Sequence, residues 1–189
     1  MYLLAHTGIT LGAAYAVDKS VRSPLLRVDY RFILLGALLP DLIDKPLGRV
    51  VFAQELGNGR IFAHTLLFLL LVTLVGIAVY RLKGQQWGLC LAFGVLMHFL
   101  LDSMWLDPVT LFWPLLSPQF PKSAAEFSVV FYSWLNNMLT TLQSLIAEIA
   151  GAGILLFLAA RAILQKKVGA FFCYGTLQKY QYSACAYVY

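Results

Sequence analysis

Three histidines serve the whole chain of 189 residues, and each lies inside or at the rim of an apolar stretch: His6 in LLAHTG, His64 in IFAHTLLF and His98 in GVLMHFLLDSMW. Carboxylates accompany them. Asp41 and Asp44 close the run LLGALLPDLIDKP, and Asp102 follows His98 by four residues. On a helix, positions i and i+4 differ by only about 40° of rotation, so His98 and Asp102 project from one face, and Asp41 and Asp44 at i and i+3 do the same. A lone histidine among apolar residues is more often a hydrogen-bonded packing residue than a ligand. Six ionisable groups in such surroundings need pairing or a bound cation to offset their desolvation.

Three imidazoles with three carboxylates suit a zinc-like or mixed transition-metal site better than calcium or magnesium, which prefer all-oxygen shells. The matching chemistry is hydrolysis by a metal-activated water, with Asp44 or Asp102 as the proton acceptor. Arg60, close to His64 in sequence, is a candidate to neutralise an oxyanion or phosphate; a snorkelling interfacial arginine is the plainer reading of the same residue. Trp113 and Pro114 are placed to shape the mouth of such a site.

The elements that must carry these residues are membrane segments. The chain is 60% apolar and 12% charged, with a mean hydropathy of +0.76, far from the usage of soluble domains. Five apolar segments are expected, at roughly 2–17, 32–46, 61–80, 87–106 and 138–164, giving an all-α integral membrane bundle of about four to five membrane segments. The first two are short for full spans. Pro108, Pro114, Pro118 and Pro121 break the chain between the last two segments, predicting a loop or re-entrant element. Residues 123–137, with Phe131, Tyr132 and Trp134, suit a short interfacial helix. Residues 1–167 form the membrane-embedded domain, and 168–189 a tyrosine-rich tail.

If successive segments alternate direction, His6, Asp41, Asp44, His64, His98 and Asp102 all fall near one membrane face. The basic residues set which face that is. Ten lie on one side (Lys19, Arg22, Arg27, Arg31, Arg81, Lys83, Arg161, Lys166, Lys167, Lys179) against four on the other (Lys45, Arg49, Arg60, Lys122), which puts the site on the non-cytoplasmic face of the cell (inner) membrane. No cleavable signal is evident in the first residues. Cys90, Cys173 and Cys185 have no CxxC spacing and support neither a disulfide framework nor a cysteine metal site. The net charge of +5 comes from dispersed residues, so anionic lipid headgroups, not nucleic acid, are the expected counter-charge.

The pieces AHTGITLGAA, GALLPDLID, GRIFAHT and GVLMHFLLDSMWLDPVTLFWP, in that order over about residues 1–116, resemble the YdjM-like membrane-bound metal-dependent hydrolases. The second piece matches the family's G-x-L-L-P-D-x-x-D element and the fourth its G-x-x-x-H-x-x-x-D followed by L-F-W-P. The resemblance implies polar site positions at His6, Asp41, Asp44, His64, His98 and Asp102, with Arg60 as the arginine of the third element. It also implies a divalent metal, zinc foremost. The chain departs from the pattern at Gly59, where the family usually has a histidine, and at Ala63, where it has a threonine.

The leading expectation is therefore a membrane hydrolase acting on an ester or phosphoester of an amphiphilic small molecule, with membrane lipid as its surroundings. Two other classes fit the composition. A transporter or ion-handling protein would string its polar groups through the membrane depth, where Glu148 is the one deeper candidate. A non-catalytic scaffold would use small residues such as Gly8, Gly12, Ala147 and Gly151 for close helix contacts and hold no metal.

Overall fold

The computed structural model describes residues 3–21, 28–122 and 127–177. Arg22, Arg27, the start of the expected interfacial helix at 123–126, the Trp134 side chain, and Lys179 and Cys185 within 178–189 lie outside that description. Among the described residues the chain is all-helical: α1 (Leu3–Val21), α2 (Tyr30–Pro46), α3 (Leu66–Lys83), α4 (Trp87–Leu101), α5 (Pro108–Leu111), α6 (Phe127–Thr140), α7 (Leu142–Leu164) and α8 (Val168–Tyr174). Among the described residues only α3 and α7 are long and apolar enough to cross a membrane; α4 is apolar but has 15 residues.

Glycine pairs set how closely the helices approach. A Cβ on Gly8 of α1 would lie 2.1 Å from the carbonyl oxygen of Gly151 on α7, so neither position tolerates a side chain. A Cβ on Gly36 of α2 would lie 2.2 Å from the Leu91 carbonyl oxygen of α4, and one on Gly94 2.8 Å from the Gly36 Cα. These backbone-to-backbone approaches are the packing mode that small residues allow where apolar burial supplies little drive. Gly8 faces Gly151 and Gly12 faces Ile154, so α1 and α7 run in the same direction. Asp29 bonds Cys90 and Ala37 bonds His98, so α2 and α4 do likewise. Alternation of direction is therefore obeyed in the way the site requires: the start of α1 and the ends of α2 and α4 meet at one end of the bundle.

Pro40 lies buried inside α2, which continues through it to Pro46 and then a single wider turn over Leu47–Val51. The apolar segment expected from residue 61 becomes a helix only at Leu66. Phe62–His64 form a 3-10 turn, and Thr65 caps α3 by accepting the Phe68 N–H on its Oγ1 at 3.1 Å. Hydropathy does not separate these five residues from the span; the cause of the break is a carboxylate on α2, described below. The proline-rich stretch holds only the four-residue α5 and turns. Trp113 stacks on Phe120 with ring centroids 5.0 Å apart, and both rings meet Phe62 edge-on. The stretch thereby packs over the turn that leads into His64. On α6, Phe131 and Tyr132 are exposed. After α7, α8 folds back on α2: the Tyr30 N–H donates to the Gly175 carbonyl, and Arg31 donates to the Phe172 carbonyl.

Candidate metal centre

Asp44, completely buried, organises one half of the centre. Its Oδ2 accepts the N–H of Ile61 at 2.8 Å and of His64 at 3.1 Å, while Oδ1 accepts that of Ala63 at 2.9 Å. Three backbone N–H groups satisfied by one carboxylate explain why residues 61–64 leave helical geometry: a buried N–H must find an acceptor, and here it lies on a neighbouring helix. The His64 Nδ1 is 2.7 Å from the same Oδ2. A carboxylate bonded to so many donors offers only lone pairs, so Nδ1 carries the hydrogen and Nε2 is left with its lone pair exposed.

His98 is oriented by the same logic from a different acceptor. Its Nδ1 lies 2.8 Å from the Ala37 carbonyl oxygen on α2, a group that can only accept, so its Nε2 also presents a lone pair. The two Nε2 atoms face each other at 3.2 Å. Two lone pairs at that distance repel unless a cation stands between them. Two zinc–nitrogen bonds of about 2.0–2.1 Å at a tetrahedral angle would set the nitrogens about 3.3 Å apart, so the donor set fits a metal ion.

The other half is built on Asp102, at the end of α4. His6 Nε2 lies 3.1 Å from its Oδ1, and Arg60 Nη2 donates to its Oδ2 at 2.7 Å. The His6 and His98 rings are 4.4 Å apart, centroid to centroid. Among the described residues two groups of side chains could hold a metal ion, His6–His98–Asp102 and Asp41–His64–His98, and His98 belongs to both. Asp41 is the more accessible carboxylate, 25% exposed, with Oδ1 3.6 Å from His64 Nε2 and Oδ2 2.6 Å from Lys45 Nζ.

All six expected positions therefore converge, but in different roles: five present atoms towards the centre, while Asp44 is spent on holding His64 and its turn. The Ala37 carbonyl has no signature in side-chain spacing. Lys45 and Arg49 were also missed as site residues, although they follow Asp41 at four and eight positions. Both flank Gly59, where a Cβ would meet Arg49 Nε at 3.4 Å and Lys45 Cγ at 3.5 Å. Arg49 is partly buried, which lowers its guanidinium from the ordinary value, and its Nη1 has no hydrogen-bond partner among the described residues. Arg60, 40% exposed, completes a cationic rim. Glu148 caps α1, accepting the Leu4 and Ala5 N–H groups at 3.1 and 3.0 Å, and so fixes the turn that carries His6.

The family model described as YdjM inner membrane protein matches residues 1–177. No curated protein and no solved structure matches the chain.

Proposed function

The chain belongs to the YdjM inner membrane protein family, and from that premise we propose that it is a multi-pass membrane hydrolase using a divalent metal, zinc foremost, to cleave a phosphoester of an amphiphilic substrate. The observation that carries this reading is the pair of Nε2 lone pairs held 3.2 Å apart with both Nδ1 atoms already committed. His98 would hold the ion with His64, and His6 and Asp102 form with His98 the second group of donors; Asp44 and the Ala37 carbonyl keep the rings aimed. The ion would supply Lewis acidity and a water of lowered pKa. Asp102 has one oxygen on Arg60 and one on His6, which suits a ligand; Asp41, the more accessible carboxylate, with Oδ1 beside His64 Nε2, suits the acceptor of the water's proton. Lys45, Arg49 and Arg60 favour a phosphoester over a neutral ester, because each can bear on the oxygens of a bound phosphate. In this reading α1, α2 and α4 lie within the membrane beside α3 and α7, and the rim faces the non-cytoplasmic side.

A proton or ion pathway is disfavoured by Glu148, whose carboxylate is occupied in capping α1. The test is Asp41→Asn in purified protein, assayed on a panel of phosphoesters and lipid esters with bound metal measured in parallel. Metal content should be retained while hydrolysis falls by about 10²-fold or more, the usual worth of a positioned base. Equal activity in both proteins would remove Asp41 from the mechanism, and no hydrolysis by the unmodified protein across the panel would remove the hydrolase reading.

A further inference from the structure

A cavity of about 540 Å³ runs beside the centre, within the range of small-ligand sites of about 300–1,000 Å³. Helix α1 forms its floor through Leu3, Thr7 and Leu11, with α2 and α7 as walls. The wall from α2 is the stripe Tyr30, Leu34 and Leu38; that from α7 includes Leu158, Ala159 and Ala162. Phe171 and Phe172 of α8 line the end remote from the metal centre.

Resting on the function proposed above, we propose that this slot takes one hydrocarbon chain of the substrate, with its cleavable group at the His/Asp centre. Three observations support that occupant. The hydroxyls in the lining are already bonded, Thr7 to the Leu3 carbonyl and Tyr30 to Asp18, so water would find no partners there and would not be held. A void inside a bilayer forfeits contacts on every wall, and hydrocarbon chain is the abundant material of matching polarity. The slot is also continuous in register with the centre: the α2 stripe Leu34–Leu38 leads three residues on to Asp41, and Leu3 on the floor stands three residues before His6.

Two photoreactive palmitates test this in the purified full-length protein, one with its diazirine near the carboxyl end and one with it near the methyl end, with adducts mapped by peptide mass spectrometry. The first should label residues 3–11 and Leu38, and the second residues 168–177. The variant Ala159→Trp, which fills the slot, should lose both sets of adducts while retaining its metal. Adducts in the reverse order would mean a chain anchored from the Lys166–Lys167 end, and adducts confined to the outer face of α3 would mean ordinary surrounding lipid; either overturns the proposal. Ordered labelling of a protein that holds no metal would retain the slot as a chain-binding site and reject the hydrolase reading instead.

Discussion

Asp44 and Asp41 show how little residue type alone says about role. Both are aspartates near the end of one helix, yet one is enclosed by four N–H donors and the other meets solvent. Asn at position 44 would keep the shape but present an NH2 group to donors that need an acceptor. Asp44→Asn should therefore destabilise the protein by about 1–3 kcal/mol and weaken metal affinity by about 10–100-fold, read by thermal unfolding in detergent and by competition with a metal chelator. An unchanged affinity would mean that His64 does not depend on Asp44 for its orientation. Spacing and apolar context were enough to assemble the six residues, because desolvation makes each one costly without a partner. Their division into inner atoms and supports was not legible, since it depends on backbone N–H groups at 61–64 and on the Ala37 carbonyl, which carry no side-chain signature.

At the scale of elements, the centre depends on how closely α2 approaches α4. The Ala37 carbonyl reaches His98 Nδ1 because the adjacent Gly36 lets α2 rest on the Leu91–Gly94 backbone. Gly36→Ala should push the helices apart, costing about 1–3 kcal/mol as an overpacked contact and lowering metal occupancy through His98. Thermal unfolding together with metal content measures both, and a stable variant with full metal would show that the approach is not needed. The long helices were legible from apolar runs, and directions that bring the six residues to one face followed from alternation. The start of α3 was misplaced by five residues because a turn stabilised by a distant carboxylate has the same hydropathy as the helix it precedes. The parallel pairing of α1 with α7 rests on Gly8 and Gly151, residues that sequence reasoning named as contact points without being able to say which helices they join.

For the whole molecule, the end that carries the centre also carries the loop around Glu55, and the α3–α4 connection lies at the other end. With Cys173 and Cys185 replaced by serine, Glu55→Cys should react with an impermeant maleimide in intact cells, whereas Gln85→Cys should react only after permeabilisation; the opposite pattern would place the rim towards the cytoplasm. The central claim concerns the metal itself. Elemental analysis of the unmodified protein, purified in detergent without chelators, should find a divalent transition metal, zinc foremost, close to stoichiometric with the chain, and His98→Ala, which breaks both ligand groups at once, should lose it. A folded, unmodified protein with no bound metal, whose thermal stability does not respond to added zinc, would contradict the account.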